Sequence, residues 1–352
     1  MKTSAILARV KKHIYIYSPS GAVRDKAAFK RGIARLKLMG HEVEIDSAAL
    51  SSHLRFAGDD DTRVAAIARA CTSGADMALI SRGGYGLTRI LPQIPYAEVA
   101  KAIHKGMKFV GHSDFTAFQN AVLAKTGAQT WAGPALGADF GCEDEPDDIM
   151  QACFDDLLSD QGEGSGWRLP VVRRSAKNPP DNAAHATRAL QPQTPTTELS
   201  TSGVLWGGNL AVFVSLLGTP YFPAIQDGIL FFEDVAEYPW RIERMLTQLL
   251  HAGVLAKQKA IIFGQFTDYV ASSHDKGFKL QSVVDWLSGQ INVPVLMGLP
   301  FGHVPTKVLL PVGAQVALEV EGRDAFVLWG HQHDHGHGHL QANAQDDHGH
   351  RH

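Results

Sequence analysis

Short β-rich runs alternate with helix-period stretches through the first half of this chain, and that alternation restricts the fold to helices packed on a parallel, doubly wound sheet. The run His13-Ile14-Tyr15-Ile16-Tyr17 stops at the turn Ser18-Pro19-Ser20-Gly21, and a helix is expected over residues 26–39, before Gly40. A second strand is expected at 41–45, a helix at 61–70 and a buried strand at 77–80 running into Ser81-Arg82-Gly83-Gly84-Tyr85-Gly86. The next strand, 108–110, leads through Ser113 into a helix over 114–125, with Phe115, Phe118 and Val122 on one face and Gly127 as its stop.

At 352 residues the chain exceeds what one core usually serves, and the texture shifts accordingly. Residues 159–202 are Gly-rich, then carry Pro170, Pro179, Pro180, Pro192 and Pro195 among polar residues, which reads as an interdomain linker with at most short strands. The expected layout is an N-terminal domain over 1–158, this linker, a smaller mixed α/β domain over 203–330 and a disordered tail over 331–352. In the second domain, strands are expected at 228–232, 260–263 and 293–297, with closing antiparallel strands at 307–310, 315–320 and 325–329. Ile242, Met245, Leu246 and Leu249 fall at i, i+3, i+4 and i+7, so residues 238–251 form an amphipathic helix.

A net charge of −3 supplies no attraction to nucleic acid or an anionic membrane, and no apolar run is long enough to span a bilayer. Three cysteines, Cys71, Cys142 and Cys153, without metal-ligand spacing fit reduced thiols in a cytosol. The expectation is a soluble, cytoplasmic protein acting on a small molecule.

Three strand exits carry reactive side chains: Gly111-His112-Ser113-Asp114, Phe232-Glu233-Asp234 and Gly298-Leu299-Pro300-Phe301-Gly302-His303. Together they offer a nucleophile, a carboxylate and a base. A serine hydroxyl needs a base and an exposed position, which a sharp strand-to-helix turn provides. Ser113 would equally serve as a helix cap. Asp234 and Glu237 compete with Glu233 for the part of orienting acid, and the Gly83-Gly84 pair suits either a tight turn or close backbone approach to a substrate oxygen.

The motifs Ser81-Arg-Gly-Gly-Tyr-Gly86, Gly111-His-Ser-Asp114, Gly207-Gly-Asn-Leu210, Leu217-Gly-Thr-Pro220, Phe232-Glu-Asp-Val235 and Gly298-Leu-Pro-Phe-Gly-His303 resemble, in order and spacing, the LD-carboxypeptidases. These are the muramoyltetrapeptide carboxypeptidases of serine peptidase family S66. The resemblance implies a class I glutamine amidotransferase-like N-terminal domain, with Ser113 as nucleophile, His303 as base and Glu233 as its orienting acid. It further implies an oxyanion hole from the amides of Gly84 and Asp114, no cofactor and no required metal, a murein peptide as partner, and a homodimer. Arg82, Gly83, Tyr85, Trp206 and Asn209 are the candidate substrate contacts, and Arg82, Arg89, Arg241 and Arg244 compete for a substrate carboxylate. The implied reaction releases D-alanine from the L-centre of meso-diaminopimelate in murein tetrapeptide.

Two departures stand out: His112 replaces a more usual aromatic residue, and Trp206 a smaller one. A rival branch of the family cleaves peptidyl or aminoacyl nucleotide antibiotics, for which Trp206 or Trp240 would stack the base. A non-catalytic ligand- or metal-binding protein is the third reading, supported by the tail, where eight of 17 histidines occur and His331, His333 and His335 alternate. Adventitious metal binding is the simpler expectation for that tail.

Overall fold

The computed structural model describes residues 11–171 and 198–330. The central part of the Pro-rich segment and the histidine tail, with His331, His333 and His335, lie outside the described residues. In chain order the first lobe contains β1 (His13–Tyr17), α1 (Lys26–Leu38), β2 (Glu42–Ile45), α2 (Asp60–Thr72), β3 (Met77–Ile80), α3 (Leu87–Ile90), α4 (Tyr96–His104), β4 (Lys108–Gly111), α5 (Phe115–Thr126), β5 (Thr130–Ala132) and α6 (Asp148–Leu158). The second contains β6 (Gly164–Arg168), β7 (Glu198–Asn209), α7 (Leu210–Ser215), β8 (Ile229–Val235), α8 (Pro239–His251), β9 (Ala260–Thr267), α9 (Leu280–Ser288), β10 (Val295–Met297), β11 (Leu310–Val312), β12 (Gln315–Glu321) and β13 (Asp324–Leu328).

Among the described residues the strands form one sheet of six, ordered β2-β1-β3-β4-β5-β11, and one of seven, ordered β10-β9-β8-β7-β12-β13-β6. In the first sheet β1 to β5 are all parallel, and the order reverses between β1 and β3. In such open sheets the crevice for ligands opens at the carboxyl ends of the strands flanking that reversal. All four residues of β3 are buried, as a central parallel strand covered on both faces requires. Asp25 caps α1 by accepting from Ala28 N, and the helix buries Phe29, Ile33 and Leu36. Each such side chain contributes about 1.5–3 kcal/mol. Gly127, at φ +70°, ends α5 as expected.

The second sheet is mixed. β7 pairs antiparallel with β12 over Glu198 to Val204 and parallel with β8 over Leu205 to Asn209, so one strand joins both halves. Its first residues, together with β6, come from the segment read as linker. There Ser165 and Trp167 alternate inward between exposed neighbours, the period of a half-buried strand. The apolar face of α8 buries Ile242, Met245, Leu246 and Leu249, as its spacing predicts.

The expected strand at 307–310 is displaced. β11 begins at Leu310 and pairs antiparallel with β5, so it closes the first sheet rather than the second. A further tie runs from α5 to the end of β7. Asn120 Nδ2 donates to Gly207 O at 2.8 Å, and Asn209 N donates to Thr116 Oγ1 at 2.9 Å. The helix that follows Ser113 is thereby bonded to the strand that leads toward Glu233.

Candidate active site

Ser113 lies between β4 and α5 at φ +65°, in the left-handed region that non-glycine residues rarely occupy. Such a backbone costs on the order of 1–3 kcal/mol and persists where its surroundings impose it. The residue in the capping position is Asp114, whose side chain makes no capping bond. Among the described residues no helix N–H is hydrogen-bonded to the Ser113 hydroxyl. The geometry is that of a strained turn rather than a cap.

Asp114 turns its carboxylate away from this helix and into the loop that leaves β3. Its Oδ2 accepts from Leu87 N at 2.8 Å, and burial raises its pKa against the lowering effect of that bond and of the Arg63 charge. Beneath the same loop lies a fully buried Arg63, which donates to Gly86 O at 2.7 Å and stacks over Phe56 at 4.8 Å. Ser18 Oγ and Ser81 Oγ are 2.5 Å apart, joining the β1 and β3 exits. The Gly-rich loop is therefore held from three sides against the serine turn.

Gly83 is glycine because of what faces it. A Cβ there would lie 2.8 Å from Ser113 Oγ and 3.5 Å from Asp114 N, in the space a reacting carbonyl would need. Among the described residues the amides of Gly84 and Asp114 donate to no protein acceptor. An oxyanion hole needs free backbone donors of this kind beside a nucleophile.

The carboxylate and the imidazole come from the second lobe. Glu233 lies in β8 without solvent exposure, at a register shift between Phe232 and Asp234. His303 Nδ1 is 2.8 Å from Glu233 Oε2, and Gly302, at φ +142°, allows the approach: a Cβ there would lie 3.2 Å from Glu233 Cβ. With Nδ1–H donated to the carboxylate, Nε2 is left as the acceptor. Burial would lower the His303 pKa, but the hydrogen bond and charge of Glu233 outweigh it and hold it above 6.5.

The competing acids have other partners. Asp234 accepts from Ala211 N and from Asn209 Nδ2, each at 2.9 Å, and burial followed by the adjacent Glu233 charge pushes its pKa up to about 6. Glu237 pairs with Arg241. Asn209, named above as a substrate contact, uses its amide to hold both Glu233 and Asp234 and its carbonyl to cap α7 at Val212. Trp206 is corrected: it is 1 % exposed, donates to Gln258 Oε1 and packs against Phe213 and Phe222, so it is core and offers a ligand no surface. Tyr85, by contrast, is half exposed beside the Gly-rich loop. Arg89 is engaged by Asp60, and Arg82 is half-buried next to Gly84.

The two lobes meet at His112. Its ring stands edge-on to that of His303, with centroids 5.2 Å apart, and its Nδ1 bonds to Gly133 O at 2.9 Å. Burial, then the positive charges of Lys307 and His303, keep its pKa well below 6.5. Ser113 Oγ and His303 are not hydrogen-bonded to each other here; such contacts often tighten only around substrate. Sequence reasoning missed what anchors His303, the candidate base. Lys307 forms a buried ion pair with Asp139 of the first lobe, and Thr306 Oγ1 donates to Asp147 Oδ2 at 2.6 Å. An open cavity of about 330 Å³ lined by His53, Phe56, Asp60 and Arg89 holds none of Ser113, Glu233 or His303. Among the described residues no three His, Cys, Asp or Glu side chains are grouped to hold a metal, and no helix is long and apolar enough to cross a membrane.

A doubly wound lobe and a mixed-sheet lobe that meet at strand exits define a two-lobed α/β scaffold with a candidate catalytic centre between the lobes. Comparison with known proteins makes the assignment specific. The sequence pattern of the LD-carboxypeptidase N-terminal domain matches residues 14–133, and that of the LD-carboxypeptidase C-terminal domain matches residues 202–318. A crystal structure of muramoyltetrapeptide carboxypeptidase from Oxalobacter formigenes is similar with a TM-score of 0.75 at 35 % identity, covering 90 % of this chain and 97 % of that one. A Bacillus subtilis (strain 168) protein described as "Probable murein peptide carboxypeptidase" is 28 % identical over 293 residues, 83 % of this chain and 84 % of its own length. The Microcin C7 self-immunity protein MccF of Escherichia coli is 27 % identical over 258 residues, 69 % of this chain and 70 % of its own. The chain belongs to the S66 LD-carboxypeptidase family.

Proposed function

We propose that this protein is a serine-type LD-carboxypeptidase that releases terminal D-alanine from murein tetrapeptide. The observation that carries this reading is the buried Glu233–His303 hydrogen bond, 2.8 Å long, on the lobe opposite the strained Ser113 turn. In the proposed reaction His303 Nε2 takes the Ser113 proton as Oγ attacks the carbonyl carbon between the L-centre of meso-diaminopimelate and D-alanine. The amides of Gly84 and Asp114 receive the developing negative charge. His303 then protonates the departing amine, and water, deprotonated by the same imidazole, hydrolyses the acyl-enzyme. Each proton taken from oxygen is thus returned to nitrogen or to Ser113.

The test is D-alanine release from the tetrapeptide by wild type and by Ser113→Ala, with and without a chelator. We expect the variant to lose roughly three or more orders of magnitude in rate while retaining substrate binding, and the chelator to have no effect. Equal activity of the two proteins would overturn the reading. Similarity to MccF motivates a second arm, an aminoacyl sulfamoyl adenylate offered to the same enzyme. Preferential cleavage of that compound would move the chain to the antibiotic-processing branch. Burial of Trp206 removes one of the two aromatic residues named for that role, leaving Trp240, which is half exposed.

A further inference from the structure

Three loops meet at Gly21 and Ala22, and each brings an arginine. Gly21 N donates to Gly83 O at 3.4 Å, Ala22 N donates to Arg55 O at 3.0 Å, and Arg82 Nη1 donates to Ala22 O at 3.0 Å. Arg24 follows two residues after Ala22, and the Arg55 guanidinium lies 5.7 Å from the centre of the Tyr85 ring. Among the described residues no carboxylate pairs with any of the three. The nearest acid in sequence, Asp25, is taken up in capping α1 through Ala28 N.

The arginines around the first sheet fall into two groups: Arg31 and Arg35 of α1, like Arg82, are held by backbone carbonyls, whereas three others are paired with acids. Arg63 and Arg89 share Asp60, and Arg69 is held by both oxygens of Asp46. A half-buried guanidinium fixed by a backbone carbonyl, within reach of the charges of the exposed Arg24 and Arg55 and without an acid partner among the described residues, gains from an arriving anion. Burial, then the charges of Arg24 and Arg55, already weaken the hold of Arg82 on its proton. The position is specific as well: a Cβ on Gly84 would lie 3.2 Å from Arg82 Nη2, and one on Gly83 would lie 2.8 Å from Ser113 Oγ. Gly83 thus faces Ser113, the proposed nucleophile, while the next residue, Gly84, faces the Arg82 guanidinium.

In a carboxypeptidase substrate the free α-carboxylate is one Cα away from the scissile nitrogen, so it must land close to the hydroxyl that attacks. A planar guanidinium matches a carboxylate with two parallel hydrogen bonds, which an ammonium cannot do. We propose that Arg82, assisted by Arg24 and Arg55, binds the free α-carboxylate of the terminal residue and restricts cleavage to the chain end. This rests on the carboxypeptidase reading above and names the residue group that imposes it.

The experiment compares kcat/KM for the free-acid tetrapeptide and for its C-terminal amide in wild type, Arg82→Gln, Arg82→Lys and Arg24→Gln. Wild type should prefer the acid by about 10- to 100-fold, the range a charge-assisted bond supplies. In Arg82→Gln that ratio should collapse to within about threefold of unity, Arg82→Lys should restore part of it, and exposed Arg24→Gln should reduce it a few-fold, mainly through KM. A wild-type preference retained in both glutamine variants overturns the proposal. If wild type cleaves neither peptide, the carboxypeptidase reading fails by itself. The site is then decided by titrating acetate against the arginine Nε–H resonances: a saturable shift of the signal that Arg82→Gln deletes supports an anion site, and an unmoved signal overturns it.

Discussion

His303 and Glu233 are joined by a 2.8 Å hydrogen bond, and the carboxylate half of that pair has no solvent exposure. A buried carboxylate needs donors, and it has them: His303 on Oε2 and Asn209 Nδ2 on Oε1 at 3.2 Å. The arrangement sets both the tautomer and the charge preference of the imidazole. Removing the acid while keeping its shape separates those two effects from packing.

Glu233→Gln should lower kcat by about 10³- to 10⁴-fold, because the amide no longer enforces an Nδ1–H tautomer. The pH profile should move too. Glu233 holds His303 above 6.5, and catalysis needs the neutral ring, so wild-type kcat/KM should fall with decreasing pH through a pKa above that value. Without the charge, burial dominates and the acid limb shifts downward. A pH–rate series on both proteins checks this, and an unmoved limb contradicts the role given to Glu233.

Gly83→Ala tests the close approach of the loop to Ser113, the proposed nucleophile. The new methyl would meet Ser113 Cβ at 2.7 Å and Oγ at 2.8 Å, so either the serine or the loop must shift. A displacement of this size costs about 100-fold in kcat/KM. The fold has little else at stake there, and the melting temperature should change by only a few degrees. Parallel kinetics and thermal melts would show whether the loss is confined to activity.

The strand exits were readable because β1, β3, β4 and the helix α8 declare themselves by local period, and residues at the ends of parallel strands face the crevice. Choosing among Glu233, Asp234 and Glu237 was beyond the sequence, since the register shift in β8 and the placement of Arg241 decide which acid meets the imidazole. Trp206 is a candidate substrate contact or base-stacking residue by sequence, yet its position on β7 places it among Phe213 and Phe222. The place of β11 in the first sheet is not legible locally, because its partner, β5, lies far back in the chain. Lys307 was invisible for the same reason: Asp139 is 168 residues away.

That lysine carries a stability prediction. Lys307 is 2 % and Asp139 6 % exposed, so Lys307→Met strands a carboxylate in the interior. Breaking a buried pair from one side costs about 3–5 kcal/mol, whereas replacing both partners by apolar residues of similar volume is often neutral. Lys307→Met should therefore destabilise by that amount in urea denaturation, and Lys307→Met combined with Asp139→Leu should recover most of it. Activity should recover less than stability, because Lys307 also fixes the loop that presents His303. A double variant no more stable than the single one would show that the pair is not what holds the lobes there.

His112 separates a structural contribution from a chemical one. Its folded pKa is depressed well below 6.5 by burial and by Lys307 and His303, so the folded state resists the proton that the unfolded chain accepts. For a depressed group the contribution to stability is present above the unfolded pKa and is lost as pH falls below it toward the folded value. His303 runs the other way, since its raised pKa contributes below the unfolded value and fades as pH rises through the folded one. His112→Phe keeps a flat ring against His303 but cannot titrate. The variant should lose about 1 kcal/mol near pH 8 with the Gly133 hydrogen bond. Below about pH 6.5 its stability should fall less steeply than that of wild type, the slopes differing by up to about 1.4 kcal/mol per pH unit. Urea denaturation across the acid range measures both slopes; parallel curves would mean that His112 takes up a proton in the folded protein and that the charge of Lys307 reaches it less strongly than its burial beside His303 requires.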